Sequence, residues 1–141
     1  MPYKYTDIYS TADVGMIVTG RSLNELFADA ALGLTEVVVD LEGLDDGRQI
    51  DIELEADSLD DLFFIWLSEV VYHKDADSFL VKKVNVNIET VGRIKLKAEL
   101  YGDTIDPLRH TLKVDVKAVT LYRLKVEQIN DHWRGEAVFD L

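Results

Sequence analysis

The sequence predicts an α+β domain, a two-layer sandwich in which two amphipathic helices pack on one face of a mostly antiparallel sheet. Three observations predict it. Two segments repeat apolar residues at helical spacing, about seven short segments read as strands, most of them alternating apolar with polar residues, and turn-forming residues separate those in the second half. Alternation means one buried and one wet face, which suits an antiparallel sheet covered on one side. The 141 residues hold only two prolines, Pro2 and Pro107, and no linker-like stretch, so a single domain over residues 1–141 is expected.

The first helix starts at Ser22, with Glu25 three residues on as in a capping box. Leu23, Leu26, Phe27, Ala30, Ala31, Leu34 and Val37 form its apolar stripe, and Gly33 weakens its last turn. The second starts at Asp57 or Ser58, with Asp60 and Asp61 in the first turn, where the helix dipole favours acids. Leu59, Leu62, Phe63, Trp66, Leu67, Val70 and Val71 repeat the same spacing, and His73 and Lys74 sit near the C-terminal end.

The strands follow in order. Val14–Thr19 precedes the first helix. Ile50–Ala56, Val84–Ile88, Ile94–Leu100 and Leu112–Ala118 alternate cleanly, Leu124 and Val126 flank Lys125, and Trp133–Phe139 closes the chain. Val91-Gly92, Gly102-Asp103 and Asn130-Asp131 are the turn candidates of a hairpin meander.

Charge narrows the function. Fifteen basic against 27 acidic residues give a net charge of −12. The longest basic run is Lys82-Lys83, too little to grip a phosphate backbone or an anionic membrane unaided. An acidic surface suits a cation, a basic protein partner or simple solubility. The absence of cysteine excludes disulfides, thiolate zinc and thiol catalysis. The N-terminus is too polar for a signal peptide and no apolar run approaches the ~20 residues of a membrane span, so a soluble cytoplasmic protein is expected.

Both ends of the chain carry acids beside apolar strand segments. Asp13 follows Ser10-Thr11-Ala12, and Asp140 follows Val138-Phe139 just before Leu141. Were the first and last strands to meet, Asp13, Asp140 and the α-carboxylate of Leu141 would converge and would need a cation. An all-oxygen set of this kind favours Ca²⁺ or Mg²⁺ over zinc. Spacing alone leaves the plainer reading open, in which each acid is a solvated turn residue. His73 reads as a helix-end residue, His110 as an exposed loop residue and His132 as a turn neighbour, none of them catalytic. Lys117 reads as a solubilising residue on a wet strand face. No P-loop, dinucleotide fingerprint, HExxH or GxSxG is present.

The order of motifs resembles the archease family over essentially the whole chain, from about Tyr5 to Leu141. The residues that carry the resemblance are Ser10 to Gly15, Gly20 with the Ser22–Phe27 helix start, Asp61 to Val70, and Gly102-Asp103 with His110. Lys117-Ala118-Val119-Thr120, Trp133 and the terminal Val138-Phe139-Asp140-Leu141 complete the set. The resemblance implies a protein cofactor of an RtcB-type RNA ligase, the enzyme that joins tRNA halves after intron removal. It implies an activator that promotes guanylylation of the ligase and multiple turnover and is not itself an enzyme. By position it implies Asp13 and Asp140 as metal ligands near the Leu141 terminus, with Lys117 a polar residue close by. Ser10 stands where the family motif opens with histidine, and Leu121-Tyr122 where it often reads Tyr-His, so two imidazoles are missing here. Two other readings stay in view: a chaperone or modulator of a tRNA methyltransferase or other RNA-processing enzyme, and a metal-dependent hydrolase.

Overall fold

The structure is a computed structural model and describes residues 2–6 and 12–141. Ser10 and Thr11, which open the first motif, lie outside the described residues. In chain order the elements are β1 (Tyr3–Tyr5), β2 (Asp13–Gly20), α1 (Leu23–Val38), β3 (Arg48–Ala56), α2 (Leu59–Asp77), β4 (Phe79–Glu89), β5 (Ile94–Thr104), β6 (Ala118–Val119), β7 (Lys125–Ile129) and β8 (His132–Asp140). The α+β sandwich is present, with the strands divided between two antiparallel sheets. One runs β1-β2-β8, with β6 and β7 both paired to β8, and the other runs β3-β5-β4.

Both helices start where their capping serines place them. Ser22 Oγ accepts the Glu25 N–H and Ser58 Oγ accepts the Asp61 N–H, each at 3.1 Å. α2 ends at Ser78, whose left-handed backbone (φ 53°) turns the chain into β4. The helices meet through Phe27 and Phe63, edge to face at 5.2 Å. Deep between them, Trp66 Nε1 donates to the Phe27 carbonyl at 2.8 Å. That bond satisfies the indole while its ring is wholly buried. Gly33 does not end α1: a Cβ there would lie 2.5 Å from Met16 Sδ and 3.0 Å from the Tyr3 ring, so the glycine admits β1 and β2 against the helix.

Two expected features differ. The Leu112–Ala118 alternation does not form one strand: only Ala118 enters a strand, β6, and Leu112 makes a single bridge to Val39. Its partner segment is too short, because α1 occupies the chain up to Val38 and a 3₁₀ turn starts at Leu41. Only the residues around Val39 are extended enough to pair, and Val116 is buried while Leu112 and Val114 stay about half exposed. Gly102-Asp103 is not a turn but lies inside β5. There β4 bulges between Val81 and Lys83, and a Cβ on Gly102 would come 2.0 Å from the Leu80 carbonyl oxygen. The Asn130-Asp131 turn is where it is expected, with Asn130 at φ 57° closing the β7–β8 hairpin. Gly92, also at positive φ, lies between β4 and β5.

Candidate functional site

The register of the larger sheet brings the two ends of the chain together. β2 and β8 run antiparallel from Gly20↔Trp133 to Asp13↔Asp140, so the two aspartates stand directly opposite each other at the last rung. The Leu141 N–H donates to the Ala12 carbonyl at 2.6 Å. Hydrogen-bonded and non-hydrogen-bonded rungs alternate in such a ladder, which makes Asp13↔Asp140 a non-hydrogen-bonded rung, the kind in which side chains approach most closely.

Side-chain alternation then fixes the face. Met16 and Val18 of β2, and Ala137 and Phe139 of β8, point into the core and are fully buried. Asp13 and Asp140 have the opposite parity and lie together on the sheet face away from the helices, both half-buried. Like charges directly opposite on adjacent strands destabilise a ladder by up to about 1 kcal/mol. Leu141 follows Asp140 and packs its side chain against the core.

On the other side of Asp140, β6 pairs Ala118↔Asp140, and the Lys117 N–H donates to the Asp140 carbonyl at 2.8 Å. Lys117 is thus beside the acidic rung through its backbone. Lys117 and the two residues after it line a groove with Phe64, Ser68, Val71 and Tyr72 of α2. Thr120 Oγ1 donates to the Val138 carbonyl at 3.0 Å and holds the chain that leaves β6.

The donors at this rung are hard oxygens, the carboxylates of Asp13 and Asp140. That chemistry fits Ca²⁺ or Mg²⁺ and has nothing to offer a soft metal. Among the described residues no group of three or more His, Cys, Asp or Glu side chains is placed to hold a metal ion, so the described carboxylates at this rung are the two aspartates.

The histidines lie elsewhere. His73 is on α2 between Glu69 and Asp77. His110, expected in an exposed loop, is buried with its side chain fully enclosed. Its Nδ1 accepts the Asp106 N–H at 3.0 Å, and its Nε2 lies 3.0 Å from Asp103 Oδ2. A backbone N–H can only donate, so the proton of the neutral ring sits on Nε2 and points at Asp103. Asp103 also accepts from the Asp45 and Thr104 N–H groups and from Arg109. Burial by itself would raise the Asp103 carboxyl, but the hydrogen bonds from Asp45, Arg109, His110 and Thr104 outweigh it and hold its pKa well below the ordinary carboxylate range. The sequence offers Gly102-Asp103 as a turn and hides this corner, because its members come from three separate segments.

The whole chain, residues 3–141, matches the Archease protein family. The chain belongs to the archease family. It is 33% identical over 141 residues to the Protein archease of Pyrobaculum neutrophilum, covering 99% of this chain and 95% of that one. It is 34% identical over 133 residues to that of Pyrococcus furiosus, covering 93% and 94%. The solution structure of Methanobacterium thermoautotrophicum protein 1598 superposes with a TM-score of 0.84 at 24% identity, covering 99% of both chains. An archease crystal structure from Thermotoga maritima, described as a possible chaperone, superposes with a TM-score of 0.62 at 21% identity over 96% of each chain. At those identities the two structures establish the shared fold. Among the described residues, no helix of this archease-family chain is long and apolar enough to cross a membrane.

Proposed function

We propose that this archease-family protein is a cofactor of an RtcB-type RNA ligase in tRNA splicing, promoting guanylylation of the ligase and its multiple turnover. The observation that carries the proposal is the Asp13↔Asp140 rung, where strand register sets two carboxylates from opposite ends of the chain face to face. Asp13, Asp140 and the carboxyl of Leu141 would hold Ca²⁺ or Mg²⁺, which supplies positive charge between the facing carboxylates. Lys117 supports the rung through its N–H bond to the Asp140 carbonyl.

A ligase that handles RNA and GTP presents a basic, metal-dependent cleft, and a protein of net charge −12 is attracted to it over a distance. The carboxylate rung is carried on two strands whose inward Met16, Val18, Ala137 and Phe139 are fully buried, a scaffold suited to orienting an ion against such a cleft. The chain itself makes or breaks no bond in this reading.

The test is a guanylylation assay with purified ligase, GTP and divalent metal, with the chain added at substoichiometric levels. Acceleration over ligase alone is expected, and Asp13→Ala/Asp140→Ala is expected to abolish it while melting like the parent. Full stimulation by a folded double variant would sink the proposal, as would nucleotide turnover by the chain alone.

A further inference from the structure

The sheet edges among the described residues are closed in different ways, and β3 stands apart. β1 is three residues long and β6 only two, too short to template another strand. On β7, Asp60 Oδ1 of α2 accepts the Val126 N–H at 2.8 Å. On β4, Asn24 Oδ1 of α1 accepts the Ile88 N–H at 2.8 Å, and α1 packs along the strand.

β3 has nine residues and pairs only with β5. Among the described residues no hydrogen bond reaches the outward-pointing backbone groups between Ile50 and Glu55. The strand also has no bulge and no proline, two further devices that blunt an edge. It keeps Ile50, Ile52, Leu54 and Ala56 toward the core and shows Asp51, Glu53 and Glu55 on the exposed face. Those three carboxylates repeat every second residue, about 6.8 Å apart along the strand.

We infer that β3 is a docking edge for a basic extended segment of a partner protein, with Lys or Arg at alternate positions, which adds to the β3-β5-β4 sheet as a fourth strand. Backbone hydrogen bonds to the open edge supply affinity, and the alternating charges set register and choice of partner. The charges also decide against a second copy of this chain. Antiparallel self-pairing centred on Ile52 sets Asp51 opposite Glu53 of the other copy, a like-charge contact that opposes association. On the inner side Glu53 meets Lys97 at 3.7 Å, and Arg93 lies 3.7 Å from Glu55; all four side chains are largely exposed. Exposed pairs of this kind are weak, and each carboxylate keeps accepting capacity on the side of an added strand. The inference stands on β3 alone and is independent of the proposed ligase role.

The experiment titrates the ¹⁵N-labelled full chain with an acetylated and amidated Lys-Val-Lys-Val-Lys-Val-Lys peptide. A second peptide with the valines replaced by proline keeps the charge but cannot complete a ladder. Expected are amide shifts concentrated in residues 48–56, slowed exchange at alternate β3 amides, and at least about tenfold weaker binding of the proline peptide. Charge reversal by Asp51→Lys/Glu53→Lys/Glu55→Lys should weaken the valine peptide by a similar factor. Equal binding of the two peptides, shifts spread over the acidic surface, no binding at millimolar peptide, or β3 shifts that follow protein concentration alone would each overturn the inference.

Discussion

Replacing Asp103 with alanine tests the least expected part of the structure, the enclosed corner around His110. The carboxylate accepts from Asp45 N at 3.0 Å, Thr104 N at 2.8 Å, Arg109 Nη2 at 3.1 and 3.2 Å, and lies 3.0 Å from His110 Nε2. Alanine removes every acceptor at once. The His110 N–H is the most costly loss, because its ring is fully enclosed and water cannot replace the carboxylate; an orphaned buried donor costs about 1–3 kcal/mol. Arg109 loses less. It is half exposed and keeps Asp45 at 3.4 Å and Asp106 at 3.1 Å. With the two backbone N–H groups added, the whole comes to about 3–5 kcal/mol, one orphaned buried donor plus several lost hydrogen bonds to a charged acceptor. For a chain of this length that is a fall in Tm of about 10–15 °C. Urea unfolding followed by circular dichroism measures the free energy, and a cycle with His110→Ala isolates the pair, for which a coupling above about 1 kcal/mol is expected.

The pH dependence has a definite sign. The folded carboxyl of Asp103 is held below its ordinary value, so its contribution is fully present above the unfolded pKa near ~3.9 and is lost as pH falls from there through the folded value. Asp103→Asn should therefore lower stability at neutral pH and flatten the loss below about pH 4. An Asp103→Ala variant within about 1 kcal/mol of the parent, or an unchanged acid limb in Asp103→Asn, would refute the account of this corner.

Two further outcomes follow from the geometry. Gly102→Ala drives a Cβ to 2.0 Å from the Leu80 carbonyl, a backbone atom that cannot rotate away; a loss of at least about 3 kcal/mol or failure to fold is expected in thermal melts, and a parent-like Tm would contradict the bulge packing. Asp13→Asn/Asp140→Asn removes the facing charges; Ca²⁺ or Mg²⁺ should raise the Tm of the parent and should no longer raise that of the variant. An equal metal-induced rise in both proteins would show that the ion binds elsewhere.

Local rules made much of this fold legible. Ser22 and Ser58 mark both helix starts because a hydroxyl before an apolar stripe has one good use there, to accept the free N–H groups of the first turn. Strict alternation identified β3, most of β5 and the central part of β4, because a strand with one buried face has period two. The same rule overreached at Leu112–Ala118. Alternation reports which side chains seek burial, and it does not report whether an extended partner of equal length exists; Val39 supplies only one bridge. It also missed β1, whose Tyr3 ring is accommodated only because Gly33 carries no side chain.

The candidate site divides along the same line. The sequence by itself determined the family, the acidic balance and the identity of the two carboxylates, since these reside in residue types and their order. Only tertiary structure decided that Asp13 and Asp140 share a rung and that Lys117 meets Asp140 through its backbone at the edge of a groove lined by α2. It also decided that Asp103 and His110 are buried partners rather than turn and loop residues. The physical reason is register. A shift of one residue between β2 and β8 would send one aspartate to the opposite face, and that register is held by Met16, Val18, Ala137 and Phe139 packing on the helices.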